Sequence, residues 1–105
     1  MAWVYLLLAG ILEVVWAFSM KSSEGFSKLT PTIITAVAML ASIGLLALAM
    51  KSLPLGTAYT IWTGIGAVGA FIVGIAVLGE PVNTLRVLAA VLIVSGLVLM
   101  KLSSN

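Results

Sequence analysis

The sequence predicts an all-α integral membrane protein with four transmembrane helices. Of its 105 residues, 63% are hydrophobic and only 8% are charged, whereas an ordinary soluble domain carries about 25% charged residues. The mean hydropathy is +1.32, and four apolar stretches are each long enough to cross a hydrocarbon core of ~30 Å at ~1.5 Å per residue. We therefore expect residues 1–105 to form a single four-helix transmembrane domain, with spans at approximately 2–20, 31–50, 56–78 and 82–100.

The first two spans are bounded by polar segments. The first ends where the polar stretch 21–28 begins. The second starts with Pro31, which the first turn of a helix accommodates, and ends before Lys51, whose cation suits a helix C-terminus. Pro54 and Gly56 then break the chain before the third span.

The third and fourth spans differ in how they fit a membrane. The third contains several glycines, among them Gly64 and Gly66, and small residues at a spacing of four let helix backbones approach closely in lipid. Arg86 interrupts the fourth span near its start, and a long basic side chain there can reach the membrane interface. With Arg86 at the interface, the fourth span is long enough to cross.

Composition excludes several classes of function. The chain has no Cys and no His, which removes disulfides, zinc sites and histidine-based acid–base chemistry. The five basic residues form no patch, so nucleic acid is not an expected partner. We predict a protein without metal, cofactor or enzymatic activity, whose proton chemistry relies on Glu, Tyr or Lys.

The positions of the basic residues predict an unusual topology. If four helices alternate in direction, Lys51 and Lys101 lie on one side of the membrane, and Lys21, Lys28 and Arg86 lie on the other. Cytoplasmic loops normally carry a clear excess of Lys and Arg, and here that excess nearly vanishes. One hypothesis is that the chain inserts in both orientations and forms an antiparallel, dual-topology homodimer. The alternative is that three basic residues against two fix a single orientation.

Glu13 is the one acidic residue inside a predicted span. It lies near the middle of the first span, close to the bilayer midplane, where a charge costs at least ~2.5–3.5 kcal/mol. Every Lys and Arg falls at a helix end or in a loop, so no basic residue lies at the same depth. We expect Glu13 to face a water-accessible cavity, neutral when alone and ionised when a cation arrives. Glu24 and Glu80 lie in loops and are expected to be solvated.

The residues around this carboxyl narrow the class of its ligand. Trp16 lies one turn along the same face, and Gly10 lies one turn back and would leave room beside the acid. Tyr59 and Trp62 in the third span can flank it, and Ser42 in the second span bonds either another helix or its own backbone. Aromatic faces attract cations, and a carboxylate can hold a planar guanidinium through two hydrogen bonds. This combination predicts a small organic cation as the ligand.

These motifs resemble the small multidrug resistance family. The matching segments are GILEVVWA at 10–17, EGFS at 24–27, KSLPLGTAYTIWTGIGA at 51–67 and LIVSG at 92–96, and the similarity extends over essentially the whole chain. A Trp at position 16 is similar to the guanidinium-exporter subtype of the family. The polyaromatic-cation exporters of the same family usually have a small residue at this position. Lys51 and Lys101 also look like that subtype, whereas Thr60, often Ala in relatives, is a small departure at the pocket edge.

The resemblance implies a proton-coupled exporter of guanidinium and small guanidinyl cations in a bacterial plasma (inner) membrane. It implies alternating access and an antiparallel homodimer, with protons and substrate competing for Glu13. The implied surround of Glu13 consists of Trp16, Ser42, Tyr59 and Trp62. The family's third helix kinks at a glycine pair matched by Gly64 and Gly66, and its dimer-forming face on the fourth helix is matched by Ala89 and Gly96.

Two other functions stay open from the sequence. Within the same family, an exporter of bulky quaternary ammonium or aromatic cations would need a wider aromatic cage. Outside it, a structural or energy-coupling membrane subunit, such as a proteolipid rotor, also carries a buried carboxylate among glycine-rich helices. Such subunits typically have two spans and no Trp beside the acid.

Overall fold

The computed structural model describes residues 1–103 and contains four long helices. They are α1 (Ala2–Ser22), α2 (Leu29–Met50), α3 (Leu55–Ala76) and α4 (Thr84–Ser103). All four are long and apolar enough to cross a membrane, since 20 to 22 residues rise about 30–33 Å. The predicted all-helical architecture with four membrane-crossing helices is confirmed.

The turn between α3 and α4 sets the ends of both helices. Gly79 has a φ of 70°, a left-handed conformation that glycine adopts without a steric penalty, and the helical hydrogen bonding of α3 ends just before it. Asn83 caps α4, because its Oδ1 accepts a 2.9 Å hydrogen bond from the backbone N–H of Arg86. These two local features explain why α3 ends at Ala76 and α4 begins at Thr84.

Helix α1 is the centre of the packing. It lies against α2 and α3, whereas the backbone of α4 neighbours only α3 among the helices described. The buried core joins the first half of α1 to the end of α2 and the start of α3, and its members are Leu6, Ala9, Leu46, Ala49, Ala58 and Ile61. Lys101 Nζ also lies 4.3 Å from the centroid of the Trp3 ring, which links the end of α4 to the start of α1.

Glycines of α1 and α3 let these helices approach closely. A Cβ built on Gly69 would overlap the Val14 side chain, and one built on Gly10 would lie only 2.7 Å from Ile65 Cβ. On the other side of α3, a Cβ on Gly64 would overlap the Leu97 side chain of α4. Side chains of the neighbouring helices therefore fill the places that these glycines leave open.

Helix α4 is the most exposed of the four helices, and the protein is thin in one direction. The Cα atoms extend over 43 × 35 × 16 Å, and none of the described residues of α4 is buried. Ala89 and Gly96 are both exposed, and a Cβ built on Gly96 would meet nothing within 4 Å. One wide face of α4 therefore has no protein neighbour among residues 1–103.

Candidate functional site

Glu13 lies near the middle of α1, half-buried, at the interface with α3. Its Oε1 atom is buried and has no hydrogen-bond partner among residues 1–103. The ion pairs in this part of the chain are Lys28–Glu24 and Arg86–Glu80, both at the ends of helices. The Glu13 carboxyl therefore has no cationic partner within the described residues, and an ionised form would need one from outside them.

Gly66 provides the space for the Glu13 carboxyl. A Cβ built on Gly66 would overlap the carboxyl carbon and Oε1 of Glu13. Gly66 is buried, and each residue lies near the middle of its own helix. The carboxyl thus lies directly against the backbone of α3, where any side chain at position 66 would displace it.

A hydrogen-bonded chain crosses three helices one turn from Glu13. Trp62 Nε1 donates a 3.0 Å hydrogen bond to Ser42 Oγ, and Ser42 Oγ donates a 2.6 Å hydrogen bond to the carbonyl oxygen of Ala9. Ser42 is fully buried. Because Ala9 precedes Glu13 by one helical turn, the chain connects α3 and α2 to the segment of α1 that carries the acid.

Two further aromatic groups extend the site. The rings of Tyr59 and Trp62 are tilted by 52° with centroids 5.5 Å apart, a favourable arrangement for an aromatic pair. Tyr59 is 52% exposed, so its ring forms the outer side of this pair. Trp16 is half-buried, and its Nε1 atom is buried without a hydrogen-bond partner among the described residues.

The structure brings together part of the predicted pocket. Ser42, Tyr59 and Trp62 form one connected group, and Ser42 reaches α1 through the Ala9 carbonyl and not through the carboxyl of Glu13. The expected room beside Gly10 is absent, because the Ile65 side chain fills it.

Other predicted positions lie apart from this group. Helix α3 is continuous through Gly64 and Gly66, so a kink there stays a prediction. Ala89 and Gly96 lie on α4, away from α1 and α2. In residues 1–103 there is no group of three His, Cys, Asp or Glu residues that could hold a metal ion.

Each of the two loop acids lies within ion-pair distance of a basic side chain that the sequence did not indicate. Glu24 Oε1 lies 3.6 Å from Lys28 Nζ, and Glu80 Oε1 lies 3.6 Å from Arg86 Nη2. The Glu24 side chain is exposed, as expected for a solvated loop acid, whereas Glu80 is partly covered. The first pair has a spacing of four, but residues 24–28 form a turn in which Glu24 has a φ of 49°, so the rule for helical neighbours did not indicate it. Glu80 lies in the loop before α4 and Arg86 lies in the first turn of α4, and no sequence spacing indicates that contact.

Four membrane-crossing helices with an ionisable group between them define a small multi-pass membrane protein. The family model for the Small Multidrug Resistance protein matches residues 1–93, and the chain belongs to that family. Similar relatives include the guanidinium exporter of Escherichia coli strain K12, 57% identical over 105 residues that cover all of both chains. The guanidinium exporter of Yersinia pestis is 60% identical over 104 residues, which are 99% of this chain and all of the relative.

A third relative supports the same placement. The guanidinium exporter of Salmonella typhimurium strain LT2 is 58% identical over 105 residues, again covering all of both chains. The family and these relatives are transporters, so the chain is a transporter and not an enzyme. It is a multi-pass protein of the bacterial inner membrane, since its four helices are long and apolar enough to span and its relatives come from Gram-negative bacteria.

Proposed function

We propose that this protein is a proton-coupled antiporter that exports guanidinium and small guanidinyl cations. Protons and substrate compete for the carboxyl of Glu13, so binding of one releases the other. A proton gradient across the membrane then drives the cation in the opposite direction. Guanidinium as the substrate is supported by the similarity of the chain to three guanidinium exporters.

The unpartnered Glu13 carboxyl is the observation that carries this proposal. Its buried Oε1 has no hydrogen-bond partner in residues 1–103, and a buried charge without a partner is costly. Two states remove that cost: a proton neutralises the carboxyl, or a cation pairs with it. A group that needs one or the other is suited to exchange protons for cations.

The aromatic side chains support an organic cation as the substrate. The Tyr59 and Trp62 rings form a pair whose outer member is exposed, and Trp16 lies one turn from Glu13 on α1. Ring faces attract a cation, and a carboxylate binds a guanidinium through two parallel hydrogen bonds. We infer that Trp16, Ser42, Tyr59 and Trp62 line the substrate pocket.

We propose that the active form is an antiparallel homodimer. Helix α4 has no buried residue in the described part of the chain, and its small residues Ala89 and Gly96 are exposed. Small residues allow close helix packing in lipid, which suits this face to a second copy of α4. The near balance of basic residues on the two sides supports opposite orientations of the two copies.

Two oppositely oriented copies also provide alternating access. The Glu13 carboxyls then lie near the membrane midplane, where a transporter site is opened to one side at a time. When the two chains exchange conformations, the inward-open and outward-open states become structurally equivalent. Gly64 and Gly66 are the positions at which we propose that α3 bends.

Transport by purified, reconstituted protein tests the proposed function. We expect liposomes with an acidic interior to take up guanidinium and guanylurea and to release protons, and tetrapropylammonium to be a poor substrate. Glu13→Gln should insert and fold but lose this uptake, whereas the matched loop variant Glu24→Gln should retain it. Gradient-driven uptake by Glu13→Gln, or a preference for tetrapropylammonium over guanidinium, would contradict the proposal.

Reporter fusions at the C-terminus test the dual topology separately. A reporter that is active only in the cytoplasm and one that is active only in the periplasm should both give signal. Signal from one reporter alone would show a single orientation and would exclude the antiparallel homodimer.

A further inference from the structure

The turn after α3 holds the carboxyl of Glu80 against the helix. Glu80 N donates a 3.0 Å hydrogen bond to the carbonyl oxygen of Gly74, and a Cβ built on Gly74 would overlap the Glu80 carboxyl. The left-handed conformation of Gly79 turns the chain back at this point. Glu80 is therefore held in place by the backbone around it, although it belongs to a loop.

The Glu80 carboxylate already faces a guanidinium, that of Arg86. Arg86 Nη2 lies 3.6 Å from Glu80 Oε1, and Arg86 Cζ lies 5.4 Å from the centroid of the Phe71 ring. A carboxylate beside an aromatic face is the combination that binds a guanidinium group. The contact is loose, because charge-assisted N–H···O hydrogen bonds measure ~2.7–2.9 Å. A closer guanidinium would bind the carboxylate more strongly.

A cavity connects this carboxylate with the interface between α1 and α3. Its volume is about 140 Å³, and its lining includes Val14, which follows Glu13 in the chain, as well as Lys21 and Glu80. Because a water molecule occupies ~30 Å³ in the liquid, the cavity has room for an ion of a few heavy atoms. Because Val14 and Lys21 both line the cavity, the cavity extends along about two turns of α1, from the residue after Glu13 to the end of the helix.

We propose that Glu80, which lines this cavity, and the Phe71 ring, which lies outside it against Arg86, form a second guanidinium site occupied by the Arg86 side chain when substrate is absent. The identity of the ligand rests on the function proposed above. A free guanidinium ion competes with Arg86 for the carboxylate, because both carry the same planar group and the Arg86 guanidinium, at 3.6 Å, lies beyond the ~2.7–2.9 Å of a charge-assisted hydrogen bond. Lys21 also lines the cavity, and its charge keeps the site weak enough for the ion to leave, as a transport path requires.

The single arginine of the chain makes this site directly observable. Arg86 is the only Arg in the sequence, so every side-chain Nε–H resonance of protein made with isotope-labelled arginine comes from this residue, whether the two copies of the proposed dimer give one resonance or two. The full-length protein in lipid nanodiscs is titrated with guanidinium chloride, and in parallel with potassium chloride at the same ionic strength. We expect a saturable shift of the Arg86 resonance with guanidinium only, in the unmodified protein and in Glu13→Gln alike.

Two variants of the site make the proposal falsifiable. Glu80→Gln removes the negative charge at nearly constant size, and we expect it to abolish the saturable shift. Phe71→Leu keeps the carboxylate, and we expect it to weaken guanidinium affinity roughly two- to fivefold, as the loss of one exposed cation–π contact does. An equal response to potassium, an unchanged saturable shift in Glu80→Gln, or an unchanged affinity in Phe71→Leu would overturn the second site.

Transport by the same preparations separates this inference from the proposed function. If the protein exchanges guanidinium for protons but the Arg86 resonance does not respond to guanidinium, the second site is wrong and the proposed function is supported. If the Arg86 resonance shifts saturably with guanidinium but no guanidinium–proton exchange occurs, the second cation site is supported and the proposed function is wrong.

Discussion

Trp62 Nε1 donates a 3.0 Å hydrogen bond to the fully buried hydroxyl of Ser42, which links α3 to α2 across the middle of the bundle. The same hydroxyl donates to the carbonyl oxygen of Ala9 on α1. The Ser42 hydroxyl thus provides an acceptor for the Trp62 indole N–H and a donor for the Ala9 carbonyl oxygen. A displacement of α3 relative to α1 must break or remake this connection one turn from Glu13.

We expect Ser42→Ala to destabilise the protein by about 1–3 kcal/mol, because it leaves Trp62 Nε1 without its partner in an apolar environment. The free energy of unfolding in mixed micelles, measured by denaturant titration, checks this. The exposed Ser52→Ala is the matched control, with an expected change within about 0.5 kcal/mol. Equal stabilities of the two variants would show that the hydrogen-bonded chain contributes nothing to folding.

Gly66→Ala should weaken guanidinium binding by about tenfold or more. Its Cβ would overlap the Glu13 carboxyl, and loss of a charged hydrogen bond costs ~1.5–3 kcal/mol. Calorimetric titration of the reconstituted protein gives the affinity. Gly44→Ala is the control in α2, because its Cβ would meet nothing within 4 Å, and it should bind guanidinium normally. Normal binding by Gly66→Ala would mean that Glu13 acts from another conformation.

Trp16→Gly should shift the substrate preference towards larger hydrophobic cations. The indole lies one turn from Glu13 on α1 and takes up space beside the acid. Uptake of guanidinium and of tetrapropylammonium by proteoliposomes, expressed as a ratio, measures the shift. Trp3→Gly, near the start of α1, is the control for loss of an indole from the same helix. An unchanged ratio in Trp16→Gly would remove Trp16 as a determinant of selectivity.

Guanidinium binding at Glu13 should weaken as the pH falls. The protonated carboxyl is neutral and cannot pair with a cation, so the apparent Kd rises with acidity. If one proton is displaced for each cation, the limiting slope is about tenfold per pH unit. Titrations at a series of pH values measure the slope, with Glu24→Gln expected to match the unmodified protein. A Kd that does not change with pH would exclude competition for the same group.

The fold was predictable because few positions in this chain are charged. Lys51 and Lys101 mark helix ends directly, and the apolar stretches between polar segments have the length of a membrane crossing. The ends of α3 and α4 were less predictable. They depend on the φ of Gly79 and on one hydrogen bond to the side chain of Asn83, which are features of local geometry that hydropathy does not describe.

The candidate site was predictable only where one helix determines it. The spacing of Glu13 and Trp16 follows from the helical repeat, and the lack of a basic residue at that depth is visible in the sequence. The contact of Glu13 with Gly66 depends on how α1 and α3 are aligned, which no periodicity specifies. For the same reason, the sequence did not indicate that Ile65 would fill the space beside Gly10.

The contact between Gly66 and Glu13 also constrains how this protein can change in evolution. A side chain at position 66 must displace the carboxyl of residue 13, which occupies its place, so the length of one residue limits the size of the other. Glu13→Asp withdraws the carboxyl by one methylene group and so relieves the overlap with Gly66→Ala without displacing the carboxyl from the α3 backbone. We therefore expect these two positions to vary as a pair, so that a change at one is preserved only with a compensating change at the other.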